Sequence, residues 1–330
     1  MKKGEISGKS KTNKTSMAKW QSKKQNQKTI FLMFAVVPAM VGYIVFDLYP
    51  NVLSAYYSML DWNGVAAPKF IWFDNFIKMA RDAHFWHAAT NSLIMLLVFP
   101  ISVIIISLLL AYALTNKSYP EFRIHQNIFF IPNVLSSVII ALIFTFLYDG
   151  GFGLINAFIN AVGHRIGAIG ANEVFSNYWL GMDETALPAV LLTMIWGGVG
   201  FYLIIFMNAM KGIPKSIYES AILDGATNMV RLFKITVPLI WPIIKVSLMF
   251  LMIGSIKTYE IVLVLTGGGP VRATDVLGLY MFNFAFGNTA QNQGTHYFGY
   301  ASAIGMFMFV VLVGSKLLTD KFTKKDAVEY

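Results

Sequence analysis

Three charged residues, Lys245, Lys257 and Glu260, interrupt a long apolar block that runs from Val237 to Leu265, and the last two lie close together. Charged side chains are costly in a hydrocarbon layer, where they pair with each other or line a polar pathway. Because Glu260 follows Lys257 by three positions, the two would share nearly one face of a helix, which favours a mutual ion pair. Hydroxyl groups lie beside them at Ser255, Thr258 and Tyr259. Direct contact with a polar substrate is therefore the alternative interpretation.

A second polar segment, 211–237, is a connection of 27 residues between two apolar blocks. Pro214 cannot continue the preceding helix, and Ser216 is a suitable N-cap with Glu219 at the capping-box position. The pattern predicts a short helix here, and Gly225 allows a sharp turn after it. An amphipathic loop resting on lipid headgroups is the alternative interpretation.

The turn at Gly225 is expected to join two short helices that each have an apolar side. The first begins near Ile217, and its apolar residues are Ile217, Ala221 and Leu223. The apolar residues of the second are Met229, Leu232, Phe233 and Ile235. Pro238 is expected to end the second helix, because proline lacks the N–H that a helix interior requires.

The elements around these segments are long apolar blocks. Hydrophobic residues make up 56% of the 330-residue chain and charged residues only 13%, about half the charged fraction of a soluble domain. A spanning helix needs about 20 apolar residues. The blocks that meet this need are Ile30–Phe46 with its continuation through Pro50, Ser92–Leu114, Ile128–Tyr148, Leu187–Met210, Val237–Leu265 and Tyr300–Leu318. The sequence predicts an all-α polytopic membrane protein with six transmembrane helices, the first retained because no signal-peptide cleavage site follows it.

Lysine and arginine are distributed unevenly between the predicted connections. Twenty lie in the two terminal tails and in the connections after the second and fourth blocks, against five in the other three connections. Since cytoplasmic segments are enriched in these residues, both termini are predicted to lie in the cytoplasm. The net charge of +9 is then a sign of topology, and nucleic-acid binding is not expected, because the basic N-terminal tail has a single aromatic residue, Trp20.

The 211–237 connection resembles the EAA signature of binding-protein-dependent ABC importer permeases. The matching positions are Glu219, Ser220 and Ala221, then Gly225 after three residues, then Ile235 after nine more, and Pro238. Ser220 and Val237 replace the usual Ala and Leu, and both changes are conservative.

Three further segments, 130–137, 152–156 and 265–270, are similar to the carbohydrate-uptake branch of that family, which includes the larger permease of the maltose importer. The resemblance covers about residue 90 to the C-terminus. It implies a type I ABC importer permease fold in a bacterial inner membrane. In that fold the connection forms a cytoplasmic coupling helix, seated in a cleft of an ATPase subunit.

The resemblance also implies the partners and their contacts. They are a second homologous permease, two ABC ATPase subunits and an extracytoplasmic sugar-binding protein. This chain is expected to be non-catalytic and without a cofactor of its own, because it has no Gly-x4-Gly-Lys-Ser/Thr motif. ATP and Mg²⁺ are expected on the ATPase subunits. The residues expected to couple this chain to an ATPase are Tyr218, Glu219, Ser220, Ala221, Asp224 and Gly225.

A sugar path is predicted from the same resemblance. Positions that contact sugar in the maltose importer's larger permease correspond to Gly197, Gly198, Phe201, Ser255 and Thr258. The polar residues Lys257, Tyr259 and Glu260 are added because of their chemistry. Stacking on the apolar face of a pyranose ring is expected from Trp196, Phe201 and Tyr202.

The predicted organisation is a basic cytoplasmic tail at 1–28, a six-helix transmembrane domain at 29–320 and a cytoplasmic tail at 321–330. The family-like core of the domain is about 88–318. An ion-coupled secondary transporter is the main alternative, and repeated halves and broken helices with matching polar centres are expected for it. An intramembrane hydrolase is a third possibility, but no His-Glu-x2-His or Gly-x-Ser-x-Gly motif occurs. His84 and His87 have no third ligand nearby, so no metal site is predicted.

Overall fold

The computed structural model describes residues 31–116, 122–170, 173–287 and 296–322. The predicted tail 1–28, and all but the first two residues of the tail 321–330, lie outside the described residues. The helices are α1 (Phe31–Tyr57), α2 (Asp74–Arg81), α3 (Ala83–Asn116), α4 (Phe122–Val134), α5 (Ser137–Leu147), α6 (Leu154–Ile166), α7 (Asp183–Lys211), α8 (Lys215–Leu223), α9 (Asn228–Leu239), α10 (Trp241–Lys257), α11 (Glu260–Leu265), α12 (Leu277–Phe286) and α13 (Phe298–Phe322). A two-stranded antiparallel sheet pairs β1 (Leu60–Asp61) with β2 (Lys69–Phe70).

The predicted spans correspond to four long apolar helices and two bent helix pairs. Helices α1, α3, α7 and α13 are each long and apolar enough to cross a membrane. The α4–α5 pair is bent by 114° and the α9–α10 pair by 76°. Counting each pair as one span gives six in the described residues, so the predicted all-α polytopic class is confirmed.

Helix α1 belongs to a structural unit that ends at Tyr56. It contains a π-helical turn at Ile44–Leu48. None of the side chains in its apolar window is buried within this chain. A helix that is apolar on all sides is suited to contact with lipid.

The fifth predicted span, Val237–Leu265, is wrong as one continuous helix. The chain bends at Ile240, just before Pro242. The reason is that a proline ring clashes with the carbonyl four residues earlier and supplies no N–H. Pro238 does not end the preceding helix as predicted, because a π-helical turn at Arg231–Thr236 has already interrupted the regular hydrogen-bond ladder there.

The core forms where α3 packs against α7 and α10, with α4 against α7 and α11 against α5. Val103, Leu203 and Phe206 are fully buried in it. Helices α4 and α7 touch through their backbones, since a Cβ added at Gly200 would lie 1.8 Å from the carbonyl oxygen of Phe129. This close approach fixes the position of the α4–α5 bend beside α7.

Helix α12 lies in a stretch for which the sequence predicts only a loop. It packs against α13 and α3, and Leu277, Leu279 and Tyr280 are buried. Asp82, between α2 and α3, fastens this region, because its Oδ2 accepts hydrogen bonds from the hydroxyls of Tyr280 (2.5 Å) and Tyr300 (3.0 Å). Burial raises the pKa of the Asp82 carboxyl, but these hydrogen bonds and those from two backbone N–H groups outweigh it, so the pKa lies below its ordinary value.

Candidate functional site

A cavity of about 420 Å³ lies between α3, the α4–α5 pair, α7 and the α10–α11 pair. Its apolar wall includes Phe99, Ile140 and Met194. Its polar side chains are Asn133, Ser137, Thr193, Lys257, Thr258, Tyr259 and Glu260. An apolar cleft with a few convergent polar groups is the usual form of a small-molecule site.

One side of the cavity is the break between α4 and α5. Pro132 lies inside α4, near its end, and the Ser136 side chain then caps α5 by accepting a hydrogen bond from the N–H of Ile139. The break sets Ser137 at the start of a new helix, facing the cavity. From there its hydroxyl donates to Glu260 Oε2 at 2.5 Å.

A second break, between α10 and α11, also lines the cavity. Thr258 is extended and Tyr259 is also non-helical, so Lys257 ends one helix and Glu260 begins the next. The prediction that Lys257 and Glu260 share one helical face is therefore wrong. No ion pair joins them within the described residues. Each charge instead lies at the helix end whose dipole stabilises it.

This second break is held by α12. Gly278 of α12 approaches so closely that an added Cβ would lie 2.6 Å from the carbonyl oxygen of Thr258. The Tyr259 ring stacks on Phe282, with centroids 5.0 Å apart and planes at 20°. Backbone contact and ring stacking from a distant helix thus position the polar residues of the break.

Six of the eight predicted substrate-path residues line the cavity. They are Gly197, Gly198, Lys257, Thr258, Tyr259 and Glu260. Gly197 and Gly198 lie on α7, where an added Cβ would meet Ile140 at 3.3 Å and Val103 at 3.4 Å. The absence of side chains there leaves the space that the cavity occupies.

The other two predicted path residues lie elsewhere. Ser255 is buried, and its hydroxyl donates to the Met252 carbonyl at 2.9 Å. Phe201 is exposed away from the cavity and stands edge-on to Tyr202. Of the other predicted stacking residues, Tyr202 is buried and Trp196 packs edge-on to Phe144. The cavity therefore takes its aromatic surface from Phe99 and Tyr259, neither of which was predicted to stack.

Three polar cavity residues escape the sequence analysis, namely Asn133, Ser137 and Thr193. Asn133 and Ser137 flank the α4–α5 break. Pro132 followed by two consecutive serines inside an apolar block is a signal for a helix end and a new N-cap. Thr193 has no comparable signal, because a single threonine in a spanning helix usually bonds to its own backbone, as this one does to Ala189 at 2.9 Å.

Helix α8 lies in the 211–237 connection, the predicted coupling loop. Its N-cap residue is Pro214, without a side-chain cap bond. The predicted Ser216 cap is therefore wrong, because the helix begins at Lys215, two residues before the predicted start at Ile217. The C-terminal end is a Schellman motif in which Gly225 has φ +76°. Its two bonds run from Ala226 N–H to Ala221 O (2.9 Å) and from Gly225 N–H to Ile222 O (3.0 Å).

The predicted coupling residues divide between the outer and inner faces of α8. Glu219, Ser220, Asp224 and Gly225 are exposed. Ala221 is buried, and the Tyr218 hydroxyl lies 3.0 Å from Thr236 Oγ1 in α9. Leu223, predicted on the apolar inner side, is 88% exposed, because it lies about 200° around the helix from the buried Ala221.

Helix α9 connects α8 to the rest of the fold. The Thr227 side chain caps it by accepting from the N–H of Val230. The Tyr112 hydroxyl of α3 donates to the Asn228 carbonyl at 2.9 Å. Leu232 is buried, while Met229 and Phe233 are exposed beside α8.

Nothing in the described residues groups three His, Cys, Asp or Glu side chains as a metal would require. His87 Nε2 lies 3.1 Å from the Arg272 carbonyl oxygen, in the loop before α12. In the same loop Asp275 is fully buried, with Arg272 at 3.3 Å from Oδ2. Burial raises the pKa of Asp275 to about 6, although Arg272 and the Val276 N–H act in the opposite direction.

Comparison with known proteins gives a family match over residues 88–325, described as the inner membrane component of binding-protein-dependent transport systems. The diacetylchitobiose uptake system permease protein NgcF of Streptomyces coelicolor is 32% identical over 86% of this chain and 79% of its own. The multiple sugar-binding transport system permease protein MsmF of Streptococcus mutans is 28% identical over 89% of this chain and 95% of its own. Both relatives support the carbohydrate-uptake branch.

A solved structure shows the same fold. It is a bacterial alginate ABC transporter in complex with an alginate pentasaccharide-bound periplasmic protein. One of its chains matches with a TM-score of 0.75 at 23% identity, covering 92% of this chain and 98% of that chain. The predicted resemblance is confirmed, and the chain belongs to the family of binding-protein-dependent transport system inner membrane components.

Proposed function

We propose that this chain is the permease subunit of an ATP-driven importer of oligosaccharides, and that its cavity forms part of the translocation path. The observation that carries the proposal is the cavity lined by two helix breaks, in a chain of this family. Hydroxyl, amide and charged groups there can bond to sugar hydroxyls, and the Tyr259 and Phe99 rings suit the apolar face of a sugar. The sugar uptake named for NgcF and MsmF supports the same substrate class.

The coupling role proposed for α8 follows from its exposed face and its rigid attachment. Glu219, Ser220 and Asp224 offer polar groups to an ATPase subunit, and Gly225 lets the chain turn beneath them. Movement of α8 would pass to the core through the Tyr218–Thr236 contact and the Tyr112–Asn228 hydrogen bond. Such a path suits alternating access, in which packed helices rock about a central site.

The proposed assembly contains two ATPase subunits that bind ATP and Mg²⁺, a second homologous permease and an extracytoplasmic sugar-binding protein. The family description and the periplasmic protein in the alginate transporter structure support the last of these. The twenty-to-five distribution of Lys and Arg supports a bacterial inner-membrane location with both termini in the cytoplasm.

An ion-coupled secondary transporter is distinguished by its energy source rather than by its helix breaks, since this chain has two breaks with polar residues. The direct test uses the assembled transporter in proteoliposomes with radiolabelled diacetylchitobiose and other oligosaccharides. Uptake is expected with internal ATP and binding protein, and not with an imposed proton or sodium gradient. Uptake driven by the gradient alone would contradict the proposal.

A charge reversal tests the coupling face. Glu219→Lys is expected to abolish both sugar-stimulated ATP hydrolysis and uptake, because it replaces the carboxylate proposed to contact the ATPase. The matched control is Glu173→Lys, which reverses an exposed carboxylate in the connection between α6 and α7. Normal uptake by Glu219→Lys would show that α8 does not couple the subunits.

A further inference from the structure

Helix α6 presents an apolar stripe that no part of the described chain covers. The stripe consists of Leu154, Phe158, Val162 and Ile166, with exposed fractions of 67%, 69%, 39% and 71%. A spacing of four residues keeps such side chains within an arc of about 120° on one face. The stripe thus runs along the full length of α6.

The opposite face of α6 is fastened to the chain by two asparagines. Asn156 is buried, its amide donates to the Asn177 carbonyl at 3.0 Å, and its Oδ1 accepts from Trp179 Nε1 at 2.8 Å. Asn160 exchanges two bonds with the backbone of Phe175, at 2.8 and 2.7 Å. These residues lie about 150° around the helix from the stripe, so the stripe is held facing away from the fold.

The position of α6 in the chain brings it to the membrane surface. Only residues 148–153 separate it from α5, the second half of a predicted span. On α5, the apolar side chains of Ile139, Leu142 and Phe146 are exposed. Phe152, in the connection, is also exposed. The stripe therefore follows an exposed apolar surface of the span within a few residues along the chain.

Arg165 adds a charge suited to the lipid headgroups. It is exposed and makes no ion pair with any other described residue. Viewed down the helix axis, Arg165 projects at an angle between those of Leu154 and Phe158. Its long side chain can therefore extend past the stripe towards a phosphate. A cation beside an apolar stripe is the pattern of helices that bind in the plane of an anionic membrane.

We propose that α6 is an interfacial helix whose stripe enters the leaflet opposite the coupling loop, with Arg165 on an anionic phospholipid headgroup. The partner is lipid, not another protein subunit. This surface is separate from the cavity and from α8, so the proposal goes beyond the transport function.

The chain has no cysteine, so single-cysteine variants give unique sites for a nitroxide spin label. The label is placed at Phe158→Cys, at Phe146→Cys as a lipid reference and at Glu173→Cys as a water reference. The transporter is assembled with cysteine-free partners in nanodiscs of phosphatidylethanolamine and phosphatidylglycerol. The measured quantity is the ratio of the label's collision rate with oxygen to its collision rate with a water-soluble nickel reagent. This ratio is expected to be the same at positions 158 and 146 and much lower at 173.

A water-like ratio at 158 would overturn the proposal. So would low accessibility to both reagents that appears only when the second permease is present, since that would place a subunit on the stripe. For the headgroup contact, Arg165→Gln is expected to lower the oxygen-to-nickel collision ratio of the label at 158. The decrease is expected in nanodiscs that contain phosphatidylglycerol but not in pure phosphatidylcholine. Arg81→Gln, an exposed arginine on α2, is the matched control. Equal shifts in both lipids would exclude the anionic contact.

Discussion

The hydrogen bonds that end the helix of the coupling loop join residues that are close in sequence, whereas a hydrogen bond of the central cavity joins residues that are far apart in sequence. The Schellman motif of α8 uses bonds between residues at most five positions apart. In the cavity lining, the bond from Ser137 to Glu260 joins residues 123 positions apart. Their glycines differ likewise, since nothing lies within 4 Å of a Cβ added at Gly225, whereas one at Gly278 would meet the Thr258 backbone at 2.6 Å. The first region depends on local backbone conformation, and the second on close contact between distant helices.

Gly225→Pro tests the local region and is expected to have the largest effect. Proline fixes φ near −65° and removes the N–H that bonds to Ile222, so it cannot adopt the observed φ of +76°. The turn must reorganise, and α8 loses its orientation. Sugar-stimulated ATP hydrolysis and uptake by reconstituted transporter should both fall about tenfold or more, a loss of about 1.4 kcal/mol or more in coupling.

The matched control is Gly225→Asn, because asparagine tolerates the left-handed conformation and meets no neighbouring atom. Its uptake should remain near that of the unmodified protein. If asparagine were as damaging as proline, contact at position 225 rather than backbone conformation would control coupling.

Gly278→Val tests the close helix contact. The added side chain would displace α12 from Thr258 and loosen the break that orients Tyr259 and Glu260. Overpacking of this kind costs about 1–3 kcal/mol, which should appear as a lower melting temperature and reduced uptake. Gly314→Ala, in α13 with nothing within 4 Å of the added Cβ, is the control. A variant at 278 as stable as the control would mean that α12 does not hold the break.

This contrast also explains how far the sequence could predict the molecule. The α8 turn was predictable because Pro214, Glu219 and Gly225 act within one short segment. The four single-helix spans were predictable from apolar length alone. Local signals were still misassigned at Ser216 and Pro238, where the neighbouring residue or turn determined the helix limit.

The α10–α11 break and helix α12 could not be predicted in the same way. No proline lies between Gly254 and Glu260, so the break depends on Gly278 and Phe282 packing against it from elsewhere in the chain. A prediction from hydropathy therefore continues one helix through the break. The predicted pairing of Lys257 with Glu260 on one helical face follows from that error. The α4–α5 break did have a local signal in Pro132 and the two serines. It was overlooked because the block around it is long and apolar enough to be assigned as one spanning helix.

The pH dependence of stability should reflect Asp275, in the loop that carries the chain from the cavity break to α12. Burial raises its pKa from 3.8 to about 6 in the folded protein. Between about pH 4 and pH 6 the folded state binds a proton at Asp275 that the unfolded state does not. The contribution of Asp275 to stability is therefore fully present below pH 4 and is lost as pH rises through about 6. The contribution is on the order of 3 kcal/mol.

The measurement is the melting temperature in nanodiscs at pH 5 and pH 7.5, compared with that of Asp275→Asn. Asp82, whose pKa is lowered, stabilises the fold at both values and loses its contribution only in stronger acid. The variant should therefore show a smaller difference between the two pH values than the unmodified protein. An unchanged difference would mean that another group titrates in this range.

The smallest expected effect comes from double-mutant cycles on the cavity charges. Ser137→Ala and Glu260→Gln should interact by about 1 kcal/mol, since a hydrogen bond to a carboxylate is lost in either variant. Lys257→Met and Glu260→Gln should be nearly additive in melting temperature, because a non-helical break separates them and no ion pair joins them in the described chain. Uptake kinetics give the second readout, because loss of sugar contact at Lys257 should raise KM without lowering stability. Strong coupling between Lys257 and Glu260 would restore the ion pair as the main interaction, and would make this break resemble the locally satisfied turn of α8.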